Sequence, residues 1–111
     1  MSSRTKGNAY ELKSKKMLEA EGYLVEKANA RLAWIKGRPI SMHHDFFGLW
    51  DLIAVQGSEV RFIQVKFIDD GAGSHVNNAI RDAIRKFPAV SKELWTWKKM
   101  NGRVALGIEV L

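Results

Sequence analysis

The sequence predicts an α/β domain, a sheet sandwiched between helices in the order α-β-β-β-α-β-β. Three observations carry this. Apolar runs flank the two-residue turn Gly57-Ser58, a hairpin signal. A second pair of runs flanks Asn101-Gly102, whose residue types suit a type I′ turn. Between the hairpins, Val76, Ala79, Ile80, Ala83, Ile84 and Phe87 recur at helical spacing. With 111 residues, 46% of them hydrophobic, the chain suffices for one domain over residues 1–111 and one core.

Residues 1–7 are polar and are expected to fray. Asn8 to Glu21 reads as a helix, with Asn8 as N-cap and Gly22 as its stop. Tyr10, Met17, Leu18 and Glu21 share one of its faces. Tyr23 to Ala28 reads as a strand. Asn29 to His44 fits a strand piece or an irregular loop, with Arg31, Lys36 and Arg38 around Leu32-Ala33-Trp34-Ile35. Phe46 to Trp50 leads into the hairpin of Asp51–Val55 and Val60–Phe67. These strands are apolar on both faces, so both sides of the sheet should be covered. The loop Asp69-Asp70-Gly71-Ala72-Gly73 resembles a calcium loop only superficially, because the later ligands are missing. Pro88 ends the second helix. Lys92–Lys98 and Arg103–Val110 form the last hairpin, which pairs Trp95 with Ile108 and Trp97 with Leu106. That apolar ladder favours core or dimer-interface packing over base stacking.

The net charge is +6 and the pI about 9.8. An excess of Lys and Arg points to a polyanionic partner, nucleic acid first, with simple solubility as the plain alternative. Membrane lipid is disfavoured, since no helix pairs a basic face with a strongly apolar one. No apolar run reaches the ~18–20 residues of a membrane span. The first residues lack the apolar stretch of a signal peptide, so a cytoplasmic location is expected. With no cysteine there is no disulfide, thiol nucleophile or thiolate metal site.

The first hairpin also carries the candidate chemistry. Its turn sets Asp51 opposite Gln64, with Cβ atoms about 4.5–5.5 Å apart on one face. Strand alternation adds Lys66 to that face. Glu11, in the first turn of the expected helix, reaches the same face if that helix packs over the sheet. Two carboxylates and an amide oxygen are hard donors, suited to Mg²⁺ or Mn²⁺ rather than zinc. A metal-bound water near Lys66 is placed to attack a phosphodiester. Plainer readings stand beside this one. In these, Glu11 only supports its helix by an i,i+4 pair with Lys15, worth about 0.2–0.5 kcal/mol. Asp51 is then a turn cap or an ion-pair partner of Lys66, and Gln64 bonds to backbone.

In order and spacing these residues resemble the PD-(D/E)XK nuclease superfamily. That pattern is a helical Glu, an Asp at the start of a strand, and Glu-X-Lys on the next strand. The matching elements are Gly7-Asn8-Ala9-Tyr10-Glu11, Gly48-Leu49-Trp50-Asp51-Leu52-Ile53-Ala54 and Ile63-Gln64-Val65-Lys66. The early Gly-X-X-X-Glu helix and the short chain are similar to archaeal Holliday junction resolvases and their phage relatives. The resemblance spans about residues 7–87 and, more loosely, the last hairpin. Each motif is short and degenerate; their order and context are more specific. Two positions depart from the pattern. Trp50 replaces the Pro of the Pro-Asp pair. Gln64 replaces the usual acidic residue, keeping a carbonyl oxygen but giving up one negative charge.

The resemblance implies a restriction-endonuclease-like three-layer core, a mixed sheet flanked by helices. It implies a Mg²⁺-dependent endodeoxyribonuclease, acting as a homodimer on branched DNA such as Holliday junctions. Glu11, Asp51 and Gln64 would hold the Mg²⁺ or Mn²⁺, and Lys66 would orient the attacking water or offset charge on the phosphate. The alternatives are a sequence-specific or duplex-cutting subunit, or a nucleic-acid-binding module that keeps the fold without cutting. Lys13, Lys15, Lys16, Lys27, Arg31, Lys36 and Arg38 are candidate phosphate contacts. His43 and His44 join them, because adjacent strand histidines point to opposite faces and seldom share a metal. Arg81 and Arg85, with Asp82 between them, suit a surface ion network equally well.

Overall fold

A computed structural model describes residues 3–28, 30–35, 37–43, 46–47, 49–68 and 78–111. In chain order the elements are α1 (Ser3–Ala20), β1 (Leu24–Lys27), β2 (Ala30–Ile35), β3 (Arg38–His43), β4 (Leu52–Gln56), β5 (Glu59–Ile68), α2 (Asn78–Lys86), β6 (Lys92–Met100) and β7 (Arg103–Val110). The chain is a mixed α/β domain. One five-stranded sheet runs β1-β4-β5-β6-β7. Its β5–β6 pair is parallel and its other pairs are antiparallel. No strand ladder joins β2 and β3 to this sheet among the described residues; they pair with each other. The region left open between strand and loop is therefore a hairpin inserted between β1 and β4, which corrects the expected order.

Both expected hairpin registers are observed. Leu52 faces Ile63, and Trp95 and Trp97 face Ile108 and Leu106. Gly57 closes the first turn at φ 60°, and Asn101 and Gly102 close the second at φ 52° and 76°. Two successive left-handed residues are what a type I′ turn requires.

Strand alternation then sorts the side chains into two cores. Leu52, Ala54, Ile63, Val65, Trp95 and Trp97 pack against Leu18 of α1. On the opposite face, Phe62, Ile68 and Leu94 pack with Trp50 and with Ile84 of α2. The sheet is thus covered on both sides, by α1 on one and α2 on the other. Trp95 and Trp97 are buried in the α1-side core.

α1 departs from expectation at its start. It begins at Ser3, so residues 3–7 are helical and Asn8 lies inside the helix rather than capping it. The sheet-facing residues are Tyr10, Ser14 and Leu18, spaced four apart, while Met17 and Glu21 are exposed. Ser14 is fully buried because it is needed as a partner: Trp97 Nε1 donates to Ser14 Oγ at 2.8 Å, and Ser14 Oγ donates to the Tyr10 carbonyl at 2.8 Å. Tyr10 stacks on Phe67 with ring centroids 4.5 Å apart. The helix ends as expected at Gly22, φ 96°. Tyr23 N–H donates to Leu18 O and Gly22 N–H to Glu19 O, the bond pair of a Schellman stop.

Two buried polar groups complete the scaffold. Arg61 makes a two-pronged bond to Glu93, at 2.7 and 2.6 Å, and Trp95 Nε1 donates to the same carboxylate. That carboxylate raises the Arg61 pKa further above its ordinary value. Lys92 Nζ donates to the carbonyls of Arg85 and Phe87, capping the end of α2 just before Pro88. A cation there satisfies orphan carbonyls and suits the helix dipole.

Candidate functional site

The site forms where β4 stops pairing with β5. Just before Asp51 the chain folds into a tight turn. Phe46 N–H donates to Trp50 O at 2.8 Å, and Trp50 N–H returns to Phe46 O at 2.9 Å. Phe47 takes the left-handed conformation, φ 56°. Asp51 still donates its N–H to Ile63 O at 3.0 Å, and its C=O accepts from Ala28 N–H at 2.9 Å. The next β5 donor, Val65 N–H, goes to Asp51 Oδ2 at 2.8 Å instead of a β4 carbonyl. A ladder N–H lies in the plane of the sheet. The Asp51 carboxylate therefore turns into the gap between strands.

Gln64 and Lys66 lie on the α2 side of β5, two residues apart. Gln64 is buried and Lys66 half-buried. The Gln64 amide sits between the Leu49 carbonyl and Lys66 Nζ. The orientation that satisfies both has its nitrogen donating to Leu49 O and its oxygen accepting from Nζ at 3.3 Å. Gln64 is thereby fixed at both ends, with its oxygen beside an ammonium group.

Glu11 approaches from the other layer. With α1 starting at Ser3, Glu11 is well inside the helix rather than in its first turn, so the helix dipole does little for it. Its carboxylate pairs with Lys27 Nζ at 3.5 Å, both side chains being mostly buried, rather than with Lys15. Lys27 Nζ also donates to Ala28 O at 3.3 Å, and Ala28 N–H holds the Asp51 carbonyl. Glu11 and Lys27 thus reach the end of the sheet where Asp51 sits. Lys27 suggested only a phosphate contact from sequence. Its role beside Glu11 depends on the β1–β4 register, which sets Lys27 against Leu52, and no local signal announces it.

The donor set is two carboxylates and one amide oxygen, all hard, and its chemistry fits a hard divalent cation. Two ammonium groups, Lys27 and Lys66, stand beside these donors. Among the described residues no three His, Cys, Asp or Glu side chains gather into a metal-binding group.

Of the candidate DNA contacts, Lys13, Lys15 and Lys16 lie on different flanks of α1. Lys15 shares the Glu11 flank of α1, one turn on. Lys13 is on the opposite flank, its Nζ 4.9 Å from the centre of the Trp97 ring. Lys16 is exposed. The backbone of β2 and β3 sets Arg31 opposite Met42, Arg38 opposite Ile35 and His43 opposite Ala30. Lys36, His44 and the Asp69–Gly73 loop lie outside the described residues. Arg81 is engaged elsewhere, with Glu109 of β7, while Arg85 pairs with Asp82 at 3.4 Å on the surface. No described helix is long and apolar enough to cross a membrane.

Comparison of the chain with protein-family models, with curated proteins and with solved structures found no match.

Proposed function

We propose that this chain is a metal-dependent endodeoxyribonuclease with a restriction-endonuclease-like core, acting on branched DNA such as four-way junctions. The observation that carries the reading is the Asp51 carboxylate in the strand gap, bonded to Val65 N–H, with the Gln64–Lys66 pair on the adjoining strand.

Asp51, Glu11 and the Gln64 oxygen are the residues that would hold Mg²⁺ or Mn²⁺. Such an ion supplies an activated water and charge stabilisation at the phosphate. The chain's own groups do the rest. Val65 N–H fixes one oxygen of the Asp51 carboxylate. Lys66 offers a cation to the scissile phosphate and a donor that orients the attacking water. Lys27 offsets the charge of Glu11. With two ammonium groups beside two carboxylates, the free protein attracts a divalent ion weakly. Mg²⁺ typically binds through one or two carboxylates plus substrate phosphates, so metal and DNA are expected to bind together.

A second reading, a nucleic-acid-binding module that does not cut, is favoured by the internal bonding of Gln64 to Leu49 O and Lys66. One assay separates the two. Four-way junction, nicked, flapped and linear duplex DNA are incubated with Mg²⁺ or Mn²⁺, with Lys66→Ala as control. Metal-dependent cutting lost in the variant supports the nuclease, and the preferred substrate separates a junction cutter from a duplex cutter. Tight binding without cutting on every substrate overturns it in favour of the binding module.

A further inference from the structure

The two edges of the five-stranded sheet differ. β1 is four residues long and carries Glu26 and Lys27. Short, charged strands are a common way to blunt an edge. β7 has eight residues, Arg103-Val-Ala-Leu-Gly-Ile-Glu-Val110, with neither Lys nor Pro. Leu111 N–H donates to Lys92 O at 2.9 Å, which sets the phase of the β6–β7 ladder. In an antiparallel ladder, alternate residues turn both backbone groups to the same neighbour. Residues 103, 105, 107 and 109 therefore bond towards β6. Val104, Leu106, Ile108 and Val110 direct their N–H and C=O away from the sheet. The side chains of these four residues also share the α1 side, where Val104, Ile108 and Val110 are 39%, 48% and 74% exposed. No described strand pairs with this edge.

We propose that β7 pairs antiparallel with β7 of a second copy of this chain, joining the two sheets across a two-fold axis at Leu106. The strand's own sequence selects that register. Outward-bonding residues must meet outward-bonding residues, so the axis can move only in whole-residue steps. Centred on Leu106, it sets Arg103 opposite the partner's Glu109 and Val104 opposite the partner's Ile108, each contact occurring twice. Ala105 and Gly107, both small, then face each other on the α2 side. Centred on Ala105, it sets Arg103 against glycine and Glu109 against asparagine. Centred on Gly107, it sets Arg103 against leucine and Glu109 against alanine. Only the Leu106 axis matches opposite charges. Arg103 has no ion pair among the described residues, and a carboxylate has lone pairs enough for a second guanidinium beside Arg81. The strand is thus self-complementary in charge, in apolar face and in backbone phase, as an isologous interface requires. This inference does not rest on the nuclease reading.

The chain has no cysteine, so one substitution introduces one thiol. On this axis two Leu106→Cys residues meet with Cα atoms about 5.5 Å apart, within disulfide range. Two Val104→Cys residues lie about four residues out of register, about 13 Å apart along the strand, and two Val110→Cys residues lie farther still. The experiment oxidises the three full-length variants and compares disulfide-linked dimer. In parallel, the wild-type protein, Ile108→Lys and Arg103→Glu are followed by sedimentation, with circular dichroism as the check on folding. The expected result is efficient cross-linking of Leu106→Cys alone. The wild type should sediment as a dimer, and both charge variants should weaken association at least about tenfold. A monomeric wild type overturns the proposal. So does a dimer that Ile108→Lys and Arg103→Glu leave intact, or cross-linking of Val104→Cys or Val110→Cys that matches Leu106→Cys.

Discussion

Val65 N–H donates to Asp51 Oδ2 at 2.8 Å, so the carboxylate that heads the candidate site also completes the hydrogen bonding of β5. Both residues are buried. The fold and the proposed chemistry both draw on this one side chain, and two substitutions separate them. Asp51→Ala leaves a buried N–H unpaired and should cost about 1–3 kcal/mol. Asp51→Asn keeps an acceptor oxygen and should unfold close to wild type in urea, while metal-dependent cleavage is lost. Equal loss of stability in both variants would show that charge, not the hydrogen bond, matters to the fold.

Gln64→Glu tests whether glutamine was retained for the resting structure. The Gln64 nitrogen faces the Leu49 carbonyl, and a carboxylate oxygen there would meet another acceptor. Without divalent ions, Gln64→Glu should lower the melting temperature; losing a buried hydrogen bond costs about 1–3 kcal/mol. Added Mg²⁺ should then stabilise the variant more than the wild type. Thermal melts with Mg²⁺ and with a chelator read both effects.

Ser14→Ala removes the acceptor for Trp97 Nε1 in a fully buried position. Alanine is the better helix former, so propensity alone predicts a gain. The orphaned indole N–H should win, with a net loss of about 1–2 kcal/mol. Urea denaturation monitored by tryptophan fluorescence checks the sign.

Arg81 holds Glu109 through two bonds, at 3.0 and 2.8 Å, and this lowers the Glu109 pKa from its ordinary 4.5. A lowered folded-state pKa gives stability that is present above the unfolded value and lost as pH falls through the folded one. The pair should therefore contribute above about pH 4.5 and fade below it. Glu109→Gln should flatten the fall in stability below that pH. Urea midpoints from pH 3 to 7 test this.

Some of this architecture is legible along the chain. The hairpins are, because Gly57-Ser58 and Asn101-Gly102 name their turns and a two-residue turn dictates every pairing that follows. The helix stop at Gly22 is equally local. The start of α1 is not, because Ser3-Arg-Thr-Lys-Gly7 shows no apolar period, and those residues are helical as a continuation of a helix anchored later. The insertion of β2 and β3 escaped for a related reason: Asn29 to His44 mixes charge and apolar residues without a clean alternation.

The candidate site divides in the same way. Asp51, Gln64 and Lys66 can be brought together on paper, since one hairpin carries all three. Glu11 cannot be placed without knowing which face α1 covers. Its partner Lys27 becomes visible only through the pairing of β1 with β4.

By itself the sequence determined the turns, the registers of both hairpins and which residues alternate towards an apolar side, since these depend on neighbours within a few residues. Tertiary structure alone decided which side chains meet from distant elements. Ser14 meets Trp97 across 83 residues, Glu11 meets Lys27 from another layer, and Asp51 turns into a strand gap. The physical reason is that buried polar groups must find partners, and those partners are supplied by packing rather than by adjacency in the chain.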